Sequence, residues 1–151
     1  MTKCCNHWMR FGAGLAVAGL AYAAWANRRL FTVSDVTSGE SEAYPHLVSH
    51  VYYAPVETVL ATAEQSVRMQ SGWRVVLVDG ERGVLEAEVE AGIARLIDDV
   101  TVSCADIGHS QTRVIIRSRS RMARGDLGAN AQHILQLQQA MDIRLTADAA
   151  F

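Results

Sequence analysis

Two stretches of this chain alternate their side chains with a period of two. In LEAEVE (residues 85–90), Leu85, Ala87 and Val89 stand against Glu86, Glu88 and Glu90. In TRVIIRSRSR (residues 112–121), Val114, Ile116, Ser118 and Ser120 stand against Arg113, Ile115, Arg117, Arg119 and Arg121. A helix would spread such residues around its circumference, whereas a strand sends successive side chains to opposite faces and sorts them. Each stretch therefore reads as a strand with one buried and one solvated face, the pattern of an antiparallel sheet. The buried face needs a second layer to cover it.

The remaining segments supply that layer. After Pro55, which suits a first helical turn, Val56, Val59, Leu60, Ala63 and Val67 recur at helical spacing until Gly72. Asp126 caps a second helix whose apolar positions include Leu127, Ala131, Ile134, Leu135, Met141 and Leu145. LVSHVYYA (47–54) is β-prone, with Pro45 limiting its start, and WRVVLVDGERGVLEAEVE (73–90) is a hairpin around DGERG. A further strand covers residues 96–104, with Val100, Val102 and Cys104 on one face, and DIGHSQ leads into the arginine strand. The expected order is β-α-β-β-β-β-α: an α+β fold, its antiparallel sheet of about five strands packed against a long C-terminal helix. Bet v 1 or START-like domains are the nearest architecture, by analogy alone. Residues 30–45 read as a linker or arm, 46–145 as the domain and 146–151 as a frayed tail.

FGAGLAVAGLAYAAWA (11–26) holds no charge and only small or apolar side chains. As a helix it would span roughly 24 Å at about 1.5 Å per residue, short of a hydrocarbon core of roughly 30 Å. Trp8 and Trp25 bracket it at belt positions, and Arg10, Arg28 and Arg29 can snorkel. Residues 1–29 are therefore expected to anchor the chain in an inner or plasma-type membrane. A cleavable signal ending at Ala23 or Ala26 is the competing reading, opposed by the arginines just beyond the cut. Two basic residues flank each side, so only the N-terminal amine tips the domain toward the non-cytoplasmic side.

Four of the 14 basic residues (Lys3, Arg10, Arg28, Arg29) precede Leu30, which leaves 10 against all 16 acidic residues, a net of −6 for the domain. A domain of that sign is not expected to bind nucleic acid. Cys4, Cys5 and Cys104 make no disulfide framework and no zinc spacing. His46 and His50 stand four apart but on a β-prone segment with no third ligand nearby, so no metal is expected, and His109 and His133 read as surface residues. No cofactor fingerprint is present.

The arginine face and the glutamate face should lie in neighbouring rows of one sheet, with Asp98 and Asp99 between them, as a lattice of exposed ion pairs. Candidates for holding an anion, a ligand or a partner are Arg117, Arg119, Arg121, Asp98, Asp99, Asp126 and Asn130. Asp98 and Asp99 are the best pair for catalysis, yet adjacent strand residues point apart and cannot flank one atom. No catalytic residue is assigned, and the chain is expected not to be an enzyme.

Several short motifs carry a resemblance. DVTSGESEAYPHL (35–47), SGW (71–73), DDV (98–100), RSRSR (117–121) and GDLGAN (125–130) occur in the order found in the family catalogued as domain of unknown function fourteen ninety-nine. The chain resembles that family over about residues 34–141, departing from it at Leu96 and Ile97, where the family often has an aromatic residue. The resemblance implies a fold and a set of positions, and it implies no reaction. The expectation is a membrane-anchored, non-enzymatic accessory protein that docks on a membrane protein partner. The alternative is a tethered module binding a lipid-like or other hydrophobic molecule between the sheet and the last helix.

Overall fold

The computed structural model describes residues 22, 25, 33–91, 96–122 and 126–148. The expected anchor, residues 1–29, lies outside these apart from Tyr22 and Trp25. Among the described residues no helix is long and apolar enough to cross a membrane.

Strands β1 (Asp35–Thr37), β2 (His50–Tyr52), β3 (Trp73–Asp79), β4 (Val84–Ala91), β5 (Leu96–Gly108) and β6 (Gln111–Ser120) make one antiparallel sheet. Helices α1 (Val56–Arg68) and α2 (Ala129–Asp148) pack against each other and on one face of it. The order is β1-β6-β5-β4-β3, and β2 also pairs with β6, next to Thr112, Arg113 and Val114. The alternating stretches sort as their period requires. Leu85, Ala87, Val89, Val100, Val102, Cys104, Val114 and Ile116 are buried, and Arg113, Arg117 and Arg119 are exposed. β5 turns into β6 through His109 and Ser110, both at φ 55°, the paired left-handed geometry of a tight hairpin turn.

Five expectations need correction. The sheet has six strands among the described residues, not about five, because the expected linker contributes β1. Its three residues carry no detectable period, and what holds them lies far along the chain: Asp35 pairs with Arg117, and Thr37 stands in register with it. Just past β1, Ser38 takes over, its N–H donating to the Ile116 carbonyl and its Oγ accepting from the Ile116 N–H, both at 2.9 Å. The chain then reverses at Gly39, φ 81°, whose N–H donates to Leu47.

Second, the strand expected over 47–54 is only His50–Tyr52, because Gln138 of α2 donates to the Val48 carbonyl at 2.8 Å and draws residues before β2 out of the ladder. Third, Leu127 is not a core position of α2. It stands before the helix at φ 53°, 67% exposed, in the turn that Asp126 organises by accepting from the N–H groups of Gly128 and Asn130. Fourth, His133 is buried, not on the surface. The far end of α2 also runs on to Asp148, so Thr146 belongs to the helix and not to a tail.

The space between sheet and helices is filled by a continuous core that includes Leu85, Val100, Ile116, Ile134, Leu137 and Met141. The interior cavity that a sheet gripping a helix brings to mind is occupied by these side chains. Concave surface instead lies on the outer sheet face and between β2 and α2.

Candidate functional site

The outer sheet face carries the expected lattice. Arg121 donates to Asp99 (Nε 3.0 Å, Nη2 2.7 Å) and to Glu88 (2.5 Å), and Arg74 also reaches Glu88. Arg117 holds Asp35 in a two-pronged pair, Nε at 2.9 Å and Nη2 at 2.5 Å. Arg121 keeps the Glu88 carboxyl below the usual range, and Arg117 does the same for Asp35. Pairs this exposed are screened by solvent and add little to stability. Arg119 lies across from both Asp35 and Asp99 in register, yet makes no ion pair among the described residues.

Asp98 and Asp99 part as neighbours on a strand must. Asp99 joins the lattice, while Asp98, 2% exposed, faces inward with Oδ2 3.6 Å from Nδ1 of His133. Around His133 sits a buried polar cluster. The Ser118 hydroxyl donates to Asn130 Oδ1 at 2.6 Å and lies 3.3 Å from His133 Nδ1, and Trp73 meets the imidazole edge-on at 5.6 Å. Asn130 Nδ2 donates to the Ser34 carbonyl and to Ser120 Oγ, both at 3.1 Å. Serine, histidine and aspartate thus meet, but both partners approach the same ring nitrogen. A proton relay needs one on each. The cluster ties the arm, β5, β6 and α2 together.

Burial holds His133 below the ordinary histidine pKa, against the opposing pull of Asp98 and Asp126. The unfolded chain therefore takes up this proton first as pH falls, and the stability of the neutral ring is complete above the unfolded value and lost below it. Between about pH 7.5 and about pH 5.5 the unfolding free energy should drop as pH falls, and His133→Gln should flatten that slope. Urea titrations across the window test this; an unchanged slope in the variant refutes it. The lowered carboxyls of Asp35 and Glu88 act only in more acid solution.

A second constellation escapes the sequence reading. On β2, His50 and Tyr52 share one strand face, and Asp142 meets them from α2. Tyr52 O–H donates to Asp142 Oδ1 at 2.7 Å, and His50 Nδ1 lies 3.1 Å from the same oxygen. Burial, and then the bond to Asp142, raise the Tyr52 pKa strongly, so the phenol keeps its proton. Nearby on β5, burial pushes the Cys104 thiol up to about 11, which leaves it an unreactive packing group. The trio borders an open groove of about 490 Å³, lined also by Ser49, Val51, Tyr53, Ala54, Leu145 and Thr146. Val51 and Tyr53 are 43% and 83% exposed there. The sequence holds two signals of this site: the i, i+2 spacing of His50 and Tyr52, and Asp142 one helical turn beyond the buried Gln138. The spacing of His50 from His46 would suit a metal only on a helix. Among the described residues no cluster of His, Cys, Asp and Glu is arranged to hold a metal ion.

The family model described as protein of unknown function (DUF1499) matches residues 30–141, so the chain belongs to that family. No curated protein matches it. Among solved structures, a Nitrosospira multiformis protein is similar at 10% identity and a TM-score of 0.52, over 78% of this chain and 99% of that one. A Thermus thermophilus protein is similar at 13% identity and a TM-score of 0.45, over 76% and 98% of the two chains. The Zhui aromatase/cyclase of a Streptomyces species follows at 12% and 0.39, over 75% and 86%. At such identities the first of these shares the fold, and nothing about activity follows.

Proposed function

We propose that this DUF1499 family member is a membrane-tethered binding module, and that the groove between β2 and α2 takes a small hydrophobic molecule with a polar group. One observation carries this: an apolar groove of about 490 Å³ with three polar side chains converging on its wall. That is the size and make-up of small-molecule sites, which pair apolar lining with few, fixed polar groups. The tether is the charge-free segment at residues 11–26, and a START-like or Bet v 1-like architecture is the reading we attach to the fold. The ligand then lies beside the helix and not beneath it, because the core is filled. We further propose that the chain is not an enzyme, since its buried Ser118, His133 and Asp98 are not set for proton relay.

A second reading, an accessory subunit docked on a membrane protein, is favoured by Arg113 and Arg119, exposed on the outer face with no ion pair among the described residues. One experiment separates the two. Native mass spectrometry of the full chain, gently extracted from its own membranes, should retain a reproducible small mass. Thr146→Trp, which fills the groove from an exposed position, should lose it. Retention in the variant refutes the groove site. Stoichiometric protein partners with no small mass would establish the accessory subunit instead.

A further inference from the structure

We infer that the groove selects a neutral molecule bearing a hydroxyl group on an apolar frame, with the hydroxyl donating to Nε2 of His50; this rests on the groove being the ligand site. The assignment follows from where protons sit around Asp142. A carboxylate has none to give, so an imidazole nitrogen 3.1 Å from Oδ1 makes a favourable contact only by carrying the hydrogen itself. Tyr52 cannot supply Nδ1 with that hydrogen, because its own O–H is committed to the same oxygen at 2.7 Å. The neutral tautomer is therefore fixed with the proton on Nδ1 and a bare lone pair on Nε2, as when a carboxylate orients a histidine in a metal or catalytic site.

Nε2 has no hydrogen-bond partner among the described residues, whose polar contacts with this ring all run to Nδ1. The ring lines the groove and is 28% exposed, so the lone pair is available to a ligand. Two of the other polar groups at the wall agree in sign. Asp142 is an acceptor, and the Thr146 hydroxyl is already turned onto the Asp142 carbonyl. Among the described residues no lysine or arginine lines the groove, so nothing there compensates an anion. Among the lining side chains only the Ser49 hydroxyl is left to donate, and it can equally accept, so the wall around His50 offers chiefly acceptors and favours a ligand that brings a proton. Val51, Tyr53, Ala54 and Leu145 supply the apolar surface for its frame. A phenol or a flat alcohol meets both demands. An ether of the same shape leaves Nε2 unpaired, and a carboxylate is repelled by Asp142.

The test uses the full chain in nanodiscs, with naphthol, methoxynaphthalene and naphthoate as probes in equilibrium dialysis. The Thr146→Trp protein gives the background from partition into lipid. Naphthol should bind about tenfold more tightly than its methyl ether, the worth of one well-made hydrogen bond. His50→Phe should remove that preference while both neutral probes still bind. Equal affinities for alcohol and ether, abolished by Thr146→Trp, would overturn the hydroxyl inference and leave the groove standing. Tightest binding of naphthoate would mean an imidazolium at position 50 and would also overturn it. No saturable binding of any probe above the Thr146→Trp background would remove the groove reading itself.

Discussion

Asn130→Leu should cost about 3 kcal/mol, from three hydrogen bonds at about 1 kcal/mol apiece. The leucine matches the amide in bulk but breaks its bonds to Ser118, Ser120 and the Ser34 carbonyl at one stroke. Ser118 and Asn130 are fully buried, so water cannot substitute. Against a total of about 5–15 kcal/mol for a domain, this is a large fraction. The loss should also be local in a recognisable way. The arm at Val33 and Ser34 is held by the Ser120 N–H on the Ser34 carbonyl (2.9 Å) and by the Asp126 N–H on Val33 (3.2 Å). With Asn130 gone, hydrogen exchange at the Ser120 amide should quicken more than at the Val100 or Val102 amides in β5. A variant within about 1 kcal/mol of the parent by urea unfolding, with the Ser120 amide still protected, would show that the arm is held by other means.

The second large effect lies in the DGERG turn, where two glycines behave differently. Gly83 stands at φ 64°, and a Cβ there would overlap the Cys104 carbonyl oxygen and come within 3.2 Å of Val56 Cγ1. That carbonyl cannot retreat cheaply, because the Cys104 N–H already donates to Gly83 at 2.8 Å and fixes the two backbones together. Gly83→Ala adds left-handed strain of about 1–2 kcal/mol to the cost of parting them, for a total of about 3 kcal/mol. Gly80, three residues earlier, has nothing within 4 Å of its would-be Cβ. Gly80→Ala should therefore change stability by less than about 0.5 kcal/mol. Thermal unfolding of both variants settles it, and equal effects would refute the contrast.

Much of the fold is legible in the sequence alone. The alternation in residues 85–90 and 112–121 assigns each side chain to a face, and those assignments hold from Leu85 through Ser118. The helical spacing of Val56, Val59, Leu60, Ala63 and Val67 marks α1, and Asp126 marks the start of α2. The outer lattice follows in outline, since Asp99 and the arginines share one sheet face once β5 and β6 are neighbours; that Arg121, and not Arg119 directly across, holds Asp99 does not follow. So does the parting of Asp98 from Asp99. These are consequences of backbone geometry, which fixes the direction of each side chain from its own position and needs no knowledge of what lies opposite.

What stays hidden depends on what lies opposite. β1 is three residues long and exists because β6 offers it an open edge and Arg117 a partner for Asp35. His133 reads as polar and therefore exposed, and it is interior because Ser118, Asn130 and Asp98 arrive to surround it. The groove trio joins β2 to Asp142 across 90 residues from Tyr52. Gly80 and Gly83 are alike in sequence, and only the approach of Cys104 makes one replaceable and the other not. Local periodicity determined which way each residue faces. Whether a polar side chain could be buried, and whether a glycine was required, was decided by tertiary contacts, because the cost of burying a polar group or placing a Cβ is set by the atoms it meets.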